Sequence, residues 1–481
     1  MGSRRDFLKT GGLAIAGLSL LNKNPLRVGL GAPLTGGTGD YVSKRPPIAK
    51  RKFVSESVDE EIVKVKKGIA NRELAWIFDN CYPNTLDTTV KFGMIDGKPD
   101  TFIITGDINA MWLRDSSAQV WPYLPLIGED ARLKELIAGV INRQVKCILL
   151  DPYANAFNYG PTGSEWDKDL TVMKPGIHER KWEIDSLCYP IRLAHGYWKI
   201  TGDVSCFGAD WRDAMKLIVK TSKQQQRRDG PGPYKFQRVT AWQSDTVAGG
   251  GYGNPVKPNG LIVSIFRPSD DATIFPFLVP SNFFAVASLR QLSEMFGEIA
   301  GDKQFAGECS SMADEVYEAL QHYAISSHQT FGNMFSYEVD GFGNRLFMDD
   351  ANAPSLLSLP YLDCVPAGDQ IYQNTRMFLF SGDNPYFFKG SAGEGIGSPH
   401  TGIDKIWPIG IIMRALTSDN DTEIAACLST LVKASAGTGF MHESFDENDP
   451  KKFTRSWFAW ANTLFGELII KLYNEKPYLL S

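Results

Sequence analysis

The sequence predicts an all-α fold in which paired helices close into a toroid with short β inserts in its loops. About a dozen stretches carry apolar residues at helical spacing, and no regular alternation of strand and helix runs through the chain. Rossmann and TIM-barrel folds need that alternation, so the pattern argues against both. No strict internal repeat is present, and the toroid is therefore inferred from the number of helices.

The clearest helix is predicted at 131–149, where the apolar positions 133, 136, 137, 140 and 141 form one amphipathic stripe. Turn-rich inserts and a short β-like run at 333–347 separate the helical stretches. The same spacing predicts helices at 60–80, 183–200, 203–223, 281–299, 302–324, 369–380, 404–416, 421–434 and 456–473.

Composition indicates a soluble globular protein with a large core. The 481 residues are 43% hydrophobic and 22% charged, with a net charge of -5 and dispersed basic residues, which argues against a nucleic-acid surface. The 11 Trp residues fit either a large core or stacking platforms for sugar rings. The seven Cys residues are widely spaced without a C-x-x-C pair, so we expect buried thiols instead of disulfides or a zinc site.

The N-terminus resembles a twin-arginine export signal. Arg4 and Arg5 precede a weakly apolar run at 11–21 that is too short to span a bilayer. Residues 22–44, rich in Gly, Asn, Pro and Thr, are predicted to form a flexible linker, and 45–481 a single folded domain. The protein is therefore expected to be exported to a bacterial periplasm, without a stable membrane span.

The sequence lacks the motifs of several hydrolase classes. His178 and Glu179 begin an H-E-x-x-H pattern that fails at Trp182, and the other histidines lack metal-ligand spacing. No G-x-S-x-G elbow occurs, and the Gly-rich loop at 249–253 does not lead to G-K-[ST]. Zinc hydrolase, serine hydrolase and P-loop chemistries are thus disfavoured, and no metal site is predicted.

Two adjacent carboxylates, Asp270 and Asp271, interrupt an apolar stretch at 265–275. Buried carboxylates are costly unless paired or hydrogen-bonded, so such residues usually serve an ion pair or a reaction. In the structural alternative, Asp270 caps the helix expected at 283–296 and Arg267 neutralises Asp271. The stretch alone does not decide between the two.

Further carboxylates and aromatic residues lie in turns between helices, where sites tend to sit. Trp112 offers a stacking face, and Arg114 beside Asp115 offers a charged fork for sugar hydroxyls, unless they are a structural Arg and an N-cap Asp. Glu183 and Asp185 fit the acidic first turn of a helix, and for Glu183 we favour that structural interpretation.

Three more motifs follow towards the C-terminus. Asp350 and Asn352 belong to a polar cluster that an Asx-type turn explains equally well. His400, shortly before Trp407, is either a donor to a substrate hydroxyl or a surface turn residue. Glu443 is flanked by apolar and aromatic residues, which a solvated loop explains poorly.

Asp270 and Glu443 lie 173 positions apart and can meet only if the chain closes on itself, as a helical toroid does. A carboxylic acid that protonates a leaving oxygen and a carboxylate that activates water are the groups needed for glycoside hydrolysis.

Five motifs in order resemble glycoside hydrolase family 125: M-W-L-R-D-S-S at 111–117, R-P-S-D-D-A-T at 267–273, M-D-D-A-N-A-P-S-L-L at 348–357, G-I-G-S-P-H-T at 395–401 and H-E-S-F at 442–445. The resemblance runs from about 45 to the C-terminus. It implies an (α/α)6 barrel and an inverting exo-α-1,6-mannosidase that needs neither a metal nor another cofactor. The implied partner is an oligosaccharide with terminal α-mannose, of N-glycan or mannan type.

By the same resemblance Asp270 is the general acid and Glu443 the general base, and Arg114, Asp115 and His400 contact the sugar. We predict the substrate-binding residues to be Trp112, Arg114, Asp115, Asp185, Arg267, Asp271, Asp350, Asn352, His400 and Trp407.

Two alternatives stay open. W-x-R-D is also seen in other (α/α)6 hydrolases, so an inverting α-glucosidase of the glucoamylase kind is the nearest one. A catalytically inactive carbohydrate-binding barrel is the other, although both the acid and the base positions are occupied. A lyase is disfavoured because it needs a Tyr or His base facing a uronate, whereas this site is rich in carboxylates.

Two expectations about the site can be compared with its geometry. Asp270 is expected to keep its proton near neutral pH, through burial and the neighbouring Asp271. Arg114→Ala is expected to lose turnover without unfolding, because a fork that binds hydroxyls need not be structural.

Overall fold

The computed structural model describes residues 41–481. The predicted export signal at 1–21 and most of the predicted linker lie outside the described residues. The end of that linker contacts the folded domain: Trp76 Nε1 donates to Val42 O at 2.6 Å, and Lys44 N donates to Asn80 Oδ1 at 2.8 Å. The folded domain therefore begins before the predicted boundary at residue 45.

Helices dominate the described part of the chain, as predicted. They are α1 Glu56–Lys67, α2 Arg72–Cys81, α3 Asn84–Thr88, α4 Leu113–Val120, α5 Ala131–Leu150, α6 Ile184–Thr201, α7 Ala209–Gln225, α8 Val279–Glu298, α9 Lys303–Tyr323, α10 Gln370–Leu379, α11 Pro408–Leu416, α12 Asp421–Ala434 and α13 Ala459–Glu475.

The helices alternate between an inner and an outer layer of a closed ring. Helix α4 packs on α6, α6 on α8, and α13 on both α11 and α4, while α5, α7, α9 and α12 cover them from outside. All eight residues of α4 are buried, whereas α9 and α12 bury one face only. In chain order, turns at 355–364 come between α9 and α10, and most of their residues are buried.

Outer helices follow their sequence signals closely. Asp130 caps α5 by accepting the Leu133 N–H at 2.9 Å, and the five apolar positions of the predicted stripe are all buried. The helix predicted at 60–80 is divided into α1 and α2 at Gly68, where a Cβ atom would lie 2.6 Å from the Tyr473 ring. A larger residue there would require the Tyr473 ring to move.

The inner helices begin without side-chain caps. The cap positions of α4, α6, α8, α11 and α13 are Trp112, Glu183, Leu278, Trp407 and Phe458, and none of them bonds the first turn. Their positive N-terminal ends favour nearby carboxylates. The alternative in which Asp270 caps the helix at 283–296 is wrong, because α8 begins at Val279 after Leu278.

Short strands form six small sheets between the helices. Three of these strands lie almost entirely within the predicted β-like run at 333–347. The strands are β1 Val90–Ile95, β2 Lys98–Ile103, β3 Met111–Trp112, β4 Ala156–Phe157, β5 Ile177–Glu179, β6 Phe277–Leu278, β7 Ile325–His328, β8 Gly332–Phe335, β9 Glu338–Val339, β10 Arg345–Leu346, β11 Phe387–Lys389, β12 Glu394–Ile396, β13 Lys405–Ile406, β14 Ser444–Asp446 and β15 Phe453–Thr454.

Two of these sheets carry site residues. In the sheet β3-β4-β5, Trp112 pairs with Ala156, and Ala156 pairs with Glu179. In the sheet β13-β14-β15, Ser444 pairs with Thr454, so the adjacent Glu443 is held at the sheet end. No helix among residues 41–481 is long and apolar enough to cross a membrane. All seven cysteines are free and five are buried, as predicted.

Candidate active site

A cavity of about 170 Å³ opens where several loops of the barrel meet. Both Asp270 and Glu443 line it, as expected if the chain closes into a helical toroid. The cap residues of three inner helices, Trp112, Trp407 and Phe458, form part of its wall. The cavity is lined by Thr105, Ile108, Trp112, Arg114, Asp115, Ser269, Asp270, Asn352, His400, Trp407, Glu443, Arg455 and Phe458.

Four predicted substrate-binding residues do not line this cavity. Asp185 is fully buried behind it and accepts a hydrogen bond from Arg114 Nη1 at 3.1 Å. Asp350 accepts the Ser269 Oγ–H at 2.6 Å, also beneath the surface of the cavity. Asp271 lines an adjacent cavity instead. Arg267 lines neither cavity.

Arg267 supports the loop that carries Asp270. Its Nε donates to Glu338 Oε1 at 2.7 Å, and both side chains are buried. The second oxygen, Glu338 Oε2, accepts the backbone N–H groups of Ile274 and Phe275 at 2.9 Å each. Arg267 therefore neutralises Glu338. The structural alternative for this stretch, in which Arg267 neutralises Asp271, is wrong on this point.

Asp270 has a strained backbone. Its φ of 67° lies in the left-handed region that a non-glycine residue rarely adopts. The turn is fixed by Asp270 N, which donates to Arg267 O at 2.9 Å, and by Lys181 Nζ, which donates to Asp270 O at 2.8 Å. This conformation leaves the Asp270 side chain 23% exposed to the cavity, while that of Asp271 is 2% exposed.

Arg114 lies among four carboxyl groups and is itself only 3% exposed. Its Nη1 is 2.6 Å from Glu183 and 3.1 Å from Asp185, its Nη2 is 3.3 Å from Asp270, and its Nε is 3.6 Å from Asp115. Removing this cation would leave several buried carboxyls uncompensated. Arg114 therefore has a structural role beside its place in the cavity wall, and Arg114→Ala is expected to lose stability as well as turnover.

The protonation of Asp270 also differs from the expectation. Burial by itself raises the pKa of Asp270, but the positive charges of Arg114 and Lys181 outweigh it and lower that pKa below its ordinary value. Burial raises the pKa of Glu183 well above its ordinary value despite Arg114. Of these two carboxyls, Glu183 is therefore the one that more readily keeps a proton.

Glu443 lines the same cavity in a different environment. Thr454 Oγ1 donates to its Oε2 at 2.9 Å, and Arg455 Nη1 is 3.7 Å from its Oε1. Arg455 is itself held by Asp107 and has a left-handed φ of 42°. These two contacts hold the Glu443 carboxyl in the wall of the cavity, where a general base would accept a proton from water.

His400 provides a charged donor at the rim. Its Nδ1 is 3.4 Å from Asp271 Oδ1, which also accepts the Ser244 Oγ–H at 2.8 Å. Its place in the cleft disfavours the charged form, but the hydrogen bond and charge of Asp271 prevail and raise the pKa of His400 to about 9. Trp407 is fixed beside it by donating to Thr401 Oγ1 at 2.8 Å.

A second cavity, of about 430 Å³, adjoins the first. The two share Ile108, Trp112, Asp270 and His400. Trp166, covered by the Arg238 guanidinium at 3.6 Å, and Trp242, which is 54% exposed, lie in its wall. Two indole rings beside polar groups suit a sugar with one apolar face and several hydroxyls.

The sequence interpretation missed several residues of the site. Glu183 was interpreted as part of the first turn of a helix. It is in fact the N-cap residue of α6, and because Glu is uncommon at N-caps, its presence there indicates another purpose. Arg455 and Thr454 follow an acidic loop and carried no recognisable pattern. Asn155, whose Nδ2 is 3.3 Å from Asp270 Oδ1, gave no signal at all.

Comparisons with known proteins agree with this geometry. The family model described as "Metal-independent alpha-mannosidase (GH125)" matches residues 71–470. The chain is 41% identical over 456 residues to the meiotically up-regulated gene 157 protein of Schizosaccharomyces pombe (strain 972 / ATCC 24843), covering 91% of this chain and 89% of that protein.

Solved structures give the same result. A metal-independent α-mannosidase from Streptococcus pneumoniae, in a non-productive complex with α-1,6-mannobiose, has a TM-score of 0.85 and 40% identity, covering 88% of this chain and 100% of that one. A bacterial glucoamylase with acarbose has a TM-score of 0.53 at 12% identity, covering 87% of this chain and 58% of that one, and so shares the fold alone. The predicted (α/α)6 barrel is thereby confirmed.

Among residues 41–481, no group of three or more His, Cys, Asp or Glu side chains has a geometry that could hold a metal ion. The family match, the two relatives at about 40% identity and the paired carboxyls in one cavity all agree. The chain belongs to glycoside hydrolase family 125, the metal-independent α-mannosidases.

Proposed function

We propose that this protein removes terminal α-1,6-linked mannose from the non-reducing end of N-glycan or mannan oligosaccharides, with inversion at the anomeric carbon. The observation that carries the proposal is that Asp270 and Glu443 line one cavity that has room for a single sugar ring. An engineered cavity of about 150 Å³ binds benzene, so about 170 Å³ suits one six-membered ring. A site of that size favours exo action.

Asp270 is the proposed general acid. It lies where the two cavities join, so a glycosidic oxygen between a mannose in the first cavity and the next sugar in the second is within its reach. Protonation of that oxygen makes the departing alcohol a better leaving group. The second cavity then holds the sugar that leaves, with Trp242 as a stacking face.

Glu443 is the proposed general base. It accepts a proton from a water that attacks the anomeric carbon from the face opposite the leaving group, which inverts the configuration. The different environments of the two carboxyls support this division of roles. Asp270 adjoins the leaving-group cavity, whereas Glu443 lies only in the cavity for the terminal mannose.

The remaining lining residues are proposed to hold the terminal mannose. Charged Arg114 and His400 donate to hydroxyls, Asp115 accepts from them, and Asn352 does either. Trp407 supplies an apolar wall. Hydrogen bonds of this kind orient the ring for attack, which is a large part of the rate enhancement in such sites.

The α-1,6 linkage is supported by the mannobiose in the Streptococcus pneumoniae structure. The glucoamylase-like alternative has weaker support, since that neighbour at 12% identity shares only the fold. The test is to assay purified protein on α-1,6-, α-1,3- and α-1,2-mannobiose and on maltose. We expect mannose release from the α-1,6 isomer, and preferential cleavage of maltose would overturn the proposal.

Export is proposed from the sequence at Arg4 and Arg5. Paired arginines before a short apolar run are read by the bacterial twin-arginine system. Fusing residues 1–44 to a reporter enzyme in a bacterium should carry the reporter to the periplasm, and replacing both arginines by lysine should retain it inside. Export that persists after that replacement would contradict the proposal.

A further inference from the structure

We infer that Glu183 shares one proton with Asp270 and thereby keeps the acid of the reaction loaded at neutral pH. The inference rests on the proposed function, in which Asp270 protonates the leaving oxygen. It gives a positioning role to a residue that does not line the cavity and that is fully buried at the start of α6.

Arg114 and Asn155 each contact both the Glu183 and the Asp270 carboxyl, so the two side chains lie close together. An ionised carboxylate is an acceptor only, so the two carboxyls can share a hydrogen bond only if one of them carries a hydrogen.

The same donors hold both carboxyls. Arg114 binds Glu183 through Nη1 at 2.6 Å and Asp270 through Nη2 at 3.3 Å. Asn155 Nδ2 lies 3.5 Å from Glu183 Oε1 and 3.3 Å from Asp270 Oδ1. Ser186 Oγ donates to Glu183 Oε2 at 2.8 Å. The pair is thus held as one unit.

Charges on every neighbouring element bear on where the proton lies. Arg114 and Lys181 favour an ionised Asp270, and burial favours a neutral Glu183. Two adjacent carboxyls resist losing both protons, because like charges at close range cannot both ionise easily. The charged groups around the pair are Arg114 and Asp115 on α4, Glu179 on β5, Lys181 after β5, Asp185 on α6, His400 at 399–401 and Glu443 before β14.

Two protons move in one turnover. The bond between the anomeric carbon and the leaving oxygen breaks, its electron pair stays on that oxygen, and Asp270 passes the shared proton to it. The oxygen of water bonds to the anomeric carbon and its proton goes to Glu443. Asp270 and Glu183 are now both ionised beside Arg114 and Lys181, until solvent returns a proton to the pair and removes the one on Glu443.

Without Glu183, Asp270 beside two cations would be ionised at neutral pH and would have no proton to give. Glu183→Gln tests this directly, because the amide keeps the size of the side chain and can donate to Asp270 but cannot carry the shared proton. The alkaline limb of the kcat/KM profile reports the acid of the free enzyme. We expect this limb, measured with α-1,6-mannobiose, to move down by at least about one pH unit, which is about a tenfold loss on that limb.

A substrate with an activated leaving group separates this effect from general damage. Hydrolysis of 2,4-dinitrophenyl α-mannoside needs little protonation and should stay within about threefold of wild type. Asp185→Asn is the matched control, because Asp185 is equally buried and bonds the same Arg114 Nη1 at 3.1 Å. It should move the alkaline limb by less than half as much.

An alkaline limb in Glu183→Gln that coincides with that of wild type would overturn the inference, whatever the absolute rate. If Glu183→Gln does not fold, Glu183→Asp replaces it in the test. This variant keeps a carboxyl beside Arg114 but is one methylene too short to reach Asp270. An unshifted alkaline limb in Glu183→Asp would likewise overturn the inference. A wild-type protein that does not cleave mannobiose would instead refute the proposed function itself.

Discussion

Arg114→Ala should destabilise the protein strongly, and not only inactivate it. The Arg114 guanidinium is 3% exposed and lies within 3.6 Å of Glu183, Asp185, Asp270 and Asp115. Removing one partner of a buried ion pair costs about 3–5 kcal/mol, because the remaining charge is left without compensation. For roughly 440 folded residues, an unfolding entropy of about 2.1 cal/mol/K per residue converts that loss into a fall in Tm of about 3–5 °C.

The loss should depend on pH in a defined direction. Burial already raises the pKa of Asp185 to about 6 and also raises that of Glu183, while Arg114 holds both down. Without Arg114 both pKa values rise, so the folded state binds more protons than the unfolded state from about pH 4 upward. Stability therefore falls as pH rises, and the difference from wild type should be smaller at pH 5 than at pH 8.

Calorimetry at pH 5 and pH 8 measures both effects. Arg143→Ala is a matched control, since Arg143 is also buried and ion-paired, but its partner Asp100 keeps Lys146 at 3.0 Å. That control should lose less stability and keep its activity. An Arg114→Ala protein with the Tm of wild type at pH 8 would refute the account of a buried cation among carboxyls.

Three further outcomes are expected. Activity should survive a strong chelator, because the family is metal-independent, and loss that a specific cation restores would contradict this. Arg267→Met should cost about 3–5 kcal/mol of stability, since it leaves Glu338 buried without its cation. A denaturation curve that matches wild type would show that the Arg267–Glu338 pair does not stabilise the fold. Trp242→Ala should lower kcat/KM on α-1,6-mannotriose about fivefold, because it removes a stacking face worth about 1 kcal/mol. It should not change the hydrolysis of α-mannosyl fluoride, which has no leaving sugar. Equal losses on both substrates would place Trp242 outside the leaving-group site.

The outer helices could be predicted because each has one apolar face. The stripe in α5 at 133, 136, 137, 140 and 141 is buried as expected. Helix α4 escaped prediction because its residues include Arg114, Asp115, Ser116, Ser117 and Gln119, all buried. A polar helix inside a barrel has no apolar period, and its burial is stabilised by partners on other helices.

The candidate site was predictable as a set of residues but not as a network. The motifs identified Asp270 and Glu443, and the structure brings them to one cavity. Arg267 was misassigned because its partner, Glu338, lies 71 positions further along the chain. The protonation of Asp270 was misjudged because Lys181 and Arg114, which control it, approach only in the folded barrel.

In the proposed function, Asp270 and Glu443 act from opposite sides of the bond, as acid and base with a water between the sugar and Glu443. Proton NMR of the hydrolysis of methyl 6-O-α-mannosyl-α-mannoside tests this arrangement, because the blocked reducing end leaves the released mannose as the one sugar that can mutarotate. We expect β-mannose first, followed by slow mutarotation to the α-anomer. Release of α-mannose first would contradict it and would make Glu443 a nucleophile instead of a base.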